Sequence, residues 1–238
     1  MKILAVDTAT NSCSVAIIDA GLLLIEMTTV TNQTHSKRLM GIINTCLEMS
    51  GLTLSKIDGF AVTIGPGSFT GLRIGISAVK GFAFAQQKPI IGISSLEALA
   101  WQCSPSTYLI CPILDARKKE VYYCRYRFAG GELKKLCSES IGSPAEAVYD
   151  ITEPCILVGN GVQIYQDTLL NELGDLATFA AVTQHVVRAA SVASLSLGRF
   201  SDGKPDDVAM LVPHYIRKSD AEMNAPQNRC SAVYRSRC

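Results

Sequence analysis

The residues with the clearest potential for chemistry lie in the glycine-rich turn Gly65–Gly71, which reads GPGSFTG. The apolar run at 60–64 predicts a buried strand before the turn, and residues 71–86 show helical periodicity without proline after it. Ser68 or Thr70 can cap the helix, and a helix N-terminus attracts anions. The turn is therefore either a phosphate-binding loop or a turn that lets strand and helix pack closely. The lysine of a Walker loop is missing, and the dinucleotide fingerprint does not match.

Asp7, which ends the first apolar run, is the other residue that could face a bound nucleotide. Aspartate is also a preferred turn residue, so Asp7 either meets a ligand or caps a turn. Together with Gly67 and Ser68, Asp7 forms the set of candidates for cofactor binding. An ATP-dependent phosphotransferase of the actin and sugar-kinase architecture would use these residues around the nucleotide phosphates. The chain is nevertheless expected to hold no cofactor.

No metal centre or nucleophilic catalytic residue is predicted. The three histidines, His35, His185 and His214, are far apart in sequence, and no His-x-x-x-His pair occurs. The Gly-x-Ser-x-Gly pattern of serine hydrolases is also absent. The densest charge run, Asp115–Glu120, is either a solvated hairpin tip or part of a site.

Small residues lie along the helix that follows the glycine turn. Gly71, Gly75 and Ala78 share one face, and a glycine inside a helix costs roughly 1 kcal/mol relative to alanine. Another backbone must therefore approach this face closely, from the same chain or from a partner. The helix before it, which starts near Thr34, carries an amphipathic stripe. Its apolar positions are Leu39, Ile42, Ile43, Cys46 and Leu47.

Composition indicates a folded protein with no general affinity for polyanions. The chain has 238 residues, 48% of them hydrophobic, and a formal net charge of +1. This charge gives no electrostatic reason for the chain alone to bind nucleic acid or an anionic membrane. The nine cysteines include no Cys-x-x-Cys pair, which favours free thiols in a reducing cytoplasm. No signal peptide or membrane-length apolar run is visible, so a cytoplasmic location is expected.

The element pattern predicts an α/β protein with two domains. The first hundred residues read β-β-β-α-β-α-β-α, and a proline and serine segment near 103–107 suggests a boundary. We expect an N-terminal domain at 1–105, a smaller second domain at 106–222 and a mobile tail at 223–238. In the second domain the pattern predicts one strand over 121–128, a helix over 162–173 and a final helix over 183–200. That helix either stays with the second domain or packs back on the first.

Several motifs occur in the order typical of one family. They are DTAT at 7–10, HS at 35–36, GPGSFTGLRIG at 65–75, SSLEAL at 94–99 and DAR at 115–117. The chain therefore resembles the TsaB family, non-catalytic relatives of the transferase TsaD that were formerly grouped with the glycoproteases. The resemblance is strong over about the first 120 residues. It implies two actin-like (ASKHA, ribonuclease H-like) domains with mixed β-sheets flanked by helices. It also implies a role in threonylcarbamoyl transfer to the adenosine next to the anticodon of tRNAs that read codons starting with A.

The resemblance further implies a partner and not an enzyme. Ser95 and Leu99 stand where TsaD carries two metal-binding histidines. The family pattern implies a heterodimer with TsaD, contact with the ATPase TsaE through that complex, only indirect contact with tRNA, none with membranes, and a homodimer when the chain is alone. The residues expected at the partner interface are His35, Leu39, Ile42, Ile43, Cys46, Gly71, Gly75 and Ala78. The alternatives are the phosphotransferase, a metallopeptidase and a scaffold unrelated to tRNA.

Overall fold

A computed structural model describes residues 1–31 and 33–217 of the protein. A five-stranded mixed sheet forms the first half of the chain. The strand order is β3-β2-β1-β4-β5, in which β1 pairs antiparallel with β2 and parallel with β4. The strands are β1 (Lys2–Asp7), β2 (Ser12–Asp19), β3 (Leu22–Val30), β4 (Gly59–Gly65) and β5 (Ile90–Ser94). The helices are α1 (His35–Met49), α2 (Phe69–Gln86) and α3 (Ser95–Trp101). This order confirms the predicted β-β-β-α-β-α-β-α pattern.

The second sheet repeats this connectivity around a central strand, with the order β10-β7-β6-β11-β12 and with β8 and β9 attached beside β6. The central strand pairs antiparallel with the strand that follows it and parallel with β11, as β1 does with β2 and β4. The strands of this second sheet are β6 (Leu109–Asp115), β7 (Val121–Tyr123), β8 (Tyr126–Ala129), β9 (Glu132–Lys135), β10 (Ser140–Gly142), β11 (Cys155–Val158) and β12 (Ala177–Phe179). Its helices are α4 (Pro144–Val148), α5 (Asn160–Ile164) and α6 (Gln166–Leu173). The final helix is α7 (Ala189–Ser201).

Alternating side chains of β1 point into two different cores. Leu4 and Val6 pack with α1 and α2 on one face of the first sheet. Ile3 and Ala5 lie on the other face, in a core that includes α3, α7 and residues of the second sheet such as Ile110. This alternation follows from the two-residue period of a strand with both faces covered. The middle core therefore joins the two halves of the chain.

The second half differs from the sequence prediction at three points. The strand expected over 121–128 breaks after Tyr123, because β7 pairs with β10 whereas β8 pairs with β9. The helix expected over 162–173 is two helices that change direction near Tyr165. The last helix begins at Ala189 and not at 183, since the preceding chain places His185 in the interior, where its Nδ1 hydrogen-bonds to the backbone of Gly159.

Side chains from the first sheet cap the start of α7. Ser14 Oγ accepts a hydrogen bond from the N–H of Ala189 at 2.9 Å, and Glu26 Oε1 accepts one from Ala190 at 3.0 Å. The Glu26 side chain is only 4% exposed and also pairs with the guanidinium of Arg188. A carboxylate at a helix N-terminus satisfies free N–H groups and complements the helix dipole. These long-range caps fix α7 on the first sheet.

The segment after α7 also returns to the first sheet. The backbone of Asp206 bonds to Ile90, and its carboxylate accepts a hydrogen bond from the N–H of Gly92. Farther on, Lys80 Nζ donates to the carbonyls of Ala209 and Leu211. The sequence prediction gave no structure to this segment. The tail expected at 223–238 lies outside the described residues.

The glycines of α2 are explained by the end of β1. A Cβ atom on Gly71 would lie 2.1 Å from the carbonyl oxygen of Thr8, and one on Gly75 would lie 2.3 Å from Thr8 Oγ1. Thr8 is completely buried, and its hydroxyl donates to the Gly71 carbonyl at 2.8 Å. The close approach that the sequence required is therefore made within this chain at both positions, by the Thr8 backbone at Gly71 and by the Thr8 side chain at Gly75.

We expect Gly71→Ala to lower the free energy of unfolding by about 1–3 kcal/mol, because the added methyl group overlaps a backbone oxygen that cannot move independently. Gly81→Ala is the matched control, since nothing lies within 4 Å of a Cβ at that position. It should raise the free energy of unfolding by about 0.5–1 kcal/mol through helix propensity. Urea unfolding of both variants gives the comparison. Equal stabilities would contradict the proposed role of the Thr8 contact.

Candidate functional site

A cleft of about 550 Å³ opens between the two halves of the protein. The first half contributes the loop after β1 and the N-terminus of α2, and the second half contributes the end of β6 and the loop before β7. Residues that line it include Thr10, His35, Gly67, Ser68, Arg117 and Asn160. The structure thus brings the glycine turn and the Asp115–Glu120 charge run to one cavity.

The polar groups of Ser68, on the α2 side of the cleft, are already hydrogen-bonded within the chain. The N–H of Ser68 donates to the carbonyl of Ala9 at 2.7 Å, and Ser68 Oγ accepts from the N–H of Gly71 at 3.3 Å. A Cβ on Gly67 would lie 2.3 Å from that same Ala9 carbonyl. Both features support the interpretation of the turn as a close-packing device. Ser68, and not Thr70, is the cap of α2.

His35 lies in this cleft and not on a surface open to a partner helix. Its Nε2 donates to the carbonyl of Thr10 at 2.7 Å, which fixes the neutral tautomer. Burial lowers the pKa of His35, so the ring stays neutral near pH 7. His35 therefore links the start of α1 to the loop after β1, and its expected place at the partner interface stays a prediction.

The opposite wall of the cleft carries positive charge. Arg117, Lys118 and Lys119 follow one another with φ angles of 60°, 54° and 62°, a left-handed turn that side chains rarely adopt. The first two line the cleft together with Arg217. The one carboxylate among the described lining residues is Asp115, whose Oδ1 accepts from the N–H of Arg117 and the hydroxyl of Tyr165. This wall is therefore basic, although the guanidinium of Arg217 is already paired with Glu120.

Asp7 is completely buried behind the cleft and is not part of its lining. Its Oδ1 accepts hydrogen bonds from Thr63 Oγ1 at 2.7 Å and from the N–H of Ala9 at 3.1 Å, whereas Oδ2 has no partner. Burial raises the pKa of this carboxyl to about 7, against the two hydrogen bonds that lower it. Asp7 therefore joins the end of β1 to β4 through Thr63 and caps the turn after β1 through Ala9. This is the turn-capping alternative and not the ligand-facing one.

Four residues of the expected interface belong to the interior of the chain. The side chains of Leu39, Ile42, Ile43 and Cys46 are at most 8% exposed and pack on the first sheet. They form the apolar stripe that a surface helix needs toward its own core, so they are not available to a partner. This placement corrects their assignment. Gly71 and Gly75 are likewise buried, and Ala78 is half-buried against the same core.

The faces of α1 and α2 that point away from the sheet carry small, charged and exposed apolar residues. On α1 they include Lys37, Met40, Gly41 and Asn44, and Met40 is 45% exposed. On α2 the exposed positions are Thr70, Arg73, Ser77, Gly81, Phe84 and Ala85, and Phe84 is 80% exposed. Because α1 and α2 contact each other on the same side of the sheet, these positions form one outward surface, which we call the α1–α2 face.

Ser95 and Leu99 are both completely buried in the middle core. Ser95 Oγ has no hydrogen-bond partner, and Leu99 packs among apolar side chains. Neither side chain can supply the nitrogen or carboxylate ligands that a catalytic transition metal prefers. Across residues 1–31 and 33–217, no group of three or more His, Cys, Asp or Glu side chains is arranged to hold a metal ion.

The sequence prediction assigned no structural role to the residues near 214–217, which join the cleft to α2. The ring of Tyr215 packs on Phe69 with centroids 4.5 Å apart, and its hydroxyl accepts a hydrogen bond from Arg73 at 2.7 Å. The guanidinium of Arg217 reaches the Ala116 carbonyl and Glu120 on the other wall. The motif PHYIR at 213–217 was the available signal, and these contacts give it a physical role.

The buried Asp7 carboxyl makes stability depend on pH. Its pKa rises from 3.8 to about 7 on folding, so the folded chain holds a proton that the unfolded chain has lost between those values. The free energy of unfolding therefore falls as the pH rises from about 4 to about 7. Asp7→Asn retains the acceptor oxygen and removes this titration. We expect the stability of Asp7→Asn relative to the wild type to be greater at pH 8 than at pH 5 in urea unfolding. A pH-independent difference would contradict the buried, protonatable carboxyl.

Comparison with known proteins identifies the family. The profile of the family described as "TsaD: tRNA N6-adenosine threonylcarbamoyltransferase" matches residues 27–225. The chain is 32% identical to the tRNA threonylcarbamoyladenosine biosynthesis protein TsaB of Escherichia coli (strain K12), over 95% of this chain and 99% of that protein. None of the described helices is long and apolar enough to cross a membrane.

Solved structures agree in fold. YeaZ from Pseudomonas aeruginosa superposes with a TM-score of 0.79 at 30% identity, covering 90% of this chain and 99% of that one. The (R)-2-hydroxyglutaryl-CoA dehydratase component A of Acidaminococcus fermentans matches in fold alone, with a TM-score of 0.51 at 11% identity over 82% of this chain and 97% of that one. The expected actin-like α/β fold is confirmed. The chain belongs to the threonylcarbamoyltransferase family, among its members named TsaB.

Proposed function

We propose that this chain is a non-catalytic subunit in the biosynthesis of tRNA threonylcarbamoyladenosine and that it acts by binding and stabilising the transferase TsaD. The relatives named TsaB support the pathway. In this proposal TsaD carries out threonylcarbamoyl transfer to the adenosine next to the anticodon. TsaE and the tRNA then meet the chain only through that complex.

The observation that carries the proposal is the presence of glycines on the α1–α2 face with no neighbour among the described residues. Within residues 1–31 and 33–217, nothing lies within 4 Å of a Cβ built on Gly41 or Gly81. Each glycine destabilises its helix by about 1 kcal/mol relative to alanine. Gly71 and Gly75 have an internal reason in Thr8, but Gly41 and Gly81 have none within the described chain. A partner helix that approaches this face closely supplies the missing reason.

The composition of the α1–α2 face also suits helix packing against another protein. Gly41, Ser77, Gly81 and Ala85 allow close approach, and the exposed Met40 supplies an adaptable apolar contact. The same face explains a homodimer of the isolated chain, because adjacent helices on one copy can pack on those of a second. A second copy of the chain and TsaD then compete for the α1–α2 face.

Ser95 and Leu99 are buried, and Asp7 does not line the cleft. Both placements support the proposal of a non-catalytic subunit. The phosphotransferase alternative keeps one supporting observation, the cationic cleft. Among its described lining residues, however, Asp115 is the one carboxylate that could help to bind a nucleotide-bound magnesium ion, and it is already hydrogen-bonded.

We expect Gly41→Glu and Gly81→Glu to weaken binding to TsaD by about 100-fold or more, because each places a charge in a closely packed helix contact. Gly198→Glu is the matched control. Gly198 is also an exposed helical glycine with nothing within 4 Å, but it lies on α7, on the opposite side of the first sheet. Size-exclusion chromatography with light scattering measures the complex with TsaD and the homodimer of the chain alone.

The control should bind TsaD as the wild type does, and all three variants should unfold at or above the wild-type temperature. If Gly41→Glu and Gly81→Glu retain full affinity, the α1–α2 face is not the interface. Isothermal titration with ATP, using the chain alone, tests the other candidate. Clear ATP binding together with no TsaD complex would favour the phosphotransferase.

A further inference from the structure

Two cysteine side chains meet at the break between β7 and β8. The Sγ atoms of Cys124 and Cys137 are 3.8 Å apart, and the Cys124 thiol also donates to the carbonyl of Cys137 at 3.1 Å. Cys124 is 1% exposed, whereas Cys137 is exposed. The sequence offered no sign of this pair, because twelve residues separate the two cysteines.

The backbone geometry at this point suits a covalent bond between the two sulfurs. In the β8–β9 hairpin Tyr126 faces Lys135, and the N–H of Leu136 donates to the Arg125 carbonyl at 2.8 Å. Both cysteines lie just beyond the ends of β8 and β9, and continuing this register past those ends brings Cys124 opposite Cys137. Facing residues of antiparallel strands have Cα atoms about 4.5–5.5 Å apart, within the range of about 4.4–6.8 Å that a disulfide requires. A small side-chain rotation therefore closes the gap.

The two thiols differ in their access to small oxidants. Burial raises the pKa of the Cys124 thiol to about 12, which keeps it protonated. Cys137 is open to solvent, so a peroxide can reach it first. The accessible sulfur of Cys137 is therefore the one that reacts first, and Cys124 lies beside it to resolve the product.

We propose that Cys124 and Cys137 form a reversible redox site that reacts with hydroperoxides. Cys137 sulfur attacks one oxygen of hydrogen peroxide, the O–O bond breaks, and a sulfenic acid and one water result. The sulfur of Cys124 then attacks the sulfenic sulfur, and the S–O bond breaks as the S–S bond forms. The leaving hydroxide takes the Cys124 proton as a second water. Two thiols and one peroxide thus give one disulfide and two waters.

The site adjoins a contact between the two halves of the chain. Ser138 and Glu139 connect Cys137 to Ser140 on β10, and Ser140 faces Tyr123. The Glu139 carboxylate, 2% exposed, accepts a hydrogen bond from the α3 cap Ser94 and lies 3.2 Å from Nδ1 of His214. A disulfide at Cys137 restrains this short connection, which carries Glu139.

The test is peptide mapping by mass spectrometry of the full chain, reduced and then exposed to stoichiometric hydrogen peroxide. We expect one dominant cross-link, between the peptides that contain Cys124 and Cys137, which dithiothreitol removes. Oxidation should raise the melting temperature by about 5 °C or more, since the bond restricts the unfolded chain. It should also slow amide hydrogen exchange over residues 136–140.

The chain contains its own control for proximity. Cys111 and Cys155 lie on the adjacent strands β6 and β11, but both are buried. They should stay reduced under the same treatment. Cys137→Ser should lose the cross-link, the shift in melting temperature and the change in hydrogen exchange.

Three outcomes would overturn the proposal. The first is oxidation of Cys137 to a sulfinic acid while Cys124 stays free. The second is a dominant cross-link from Cys137 to any other cysteine of the chain. The third is a chain that remains fully reduced at Cys124 and Cys137. A Cys124→Ala variant separates the steps, because it should accumulate the oxidised, unresolved Cys137.

Discussion

The contact of Thr8 with the glycines of α2 is the constraint on which the rest of the structure depends. The Thr8 carbonyl and hydroxyl occupy the space that side chains at Gly71 and Gly75 would fill. This contact fixes how closely α2 approaches the end of β1. Gly67 adds a similar contact with Ala9 one turn earlier. The position of the helix determines both the α1–α2 face and one wall of the cleft.

The glycine motif therefore has a structural explanation that needs no bound phosphate. The N–H of Ser68 bonds to Ala9 and its hydroxyl bonds within α2, and the glycines make room for the backbone of the preceding loop. A motif of this kind indicates a fold more directly than a reaction. The outward face of the same helix is a separate surface, where Gly81 has no internal contact to explain it. The two faces of α2 thus have different roles.

The second half of the chain is held to the first by polar groups far apart in sequence. Glu26 and Ser14 cap α7, and Glu139 lies between Ser94 and His214. A carboxylate is stable in the interior only when hydrogen-bond donors satisfy it, so these contacts select one arrangement of the two halves of the chain. The cleft, its cationic wall and the thiol pair all lie along this junction. A restraint at Cys137 therefore acts close to a contact that sets the arrangement.

The sequence by itself determined the order of the elements in the first hundred residues and the family. The apolar alternation of β1 and the helical stripe of α1 are local patterns, and local patterns identify elements well. Only the tertiary structure decided which side of each element faces the core. It placed Leu39 and Ile43 inside, Asp7 behind the cleft and His35 within it. It also decided that the strand expected over 121–128 is interrupted at Cys124 and that α7 begins at Ala189. The physical reason is that each of these outcomes depends on a partner remote in sequence, such as Thr8 for Gly71 or Glu26 for Ala190, which no local pattern encodes.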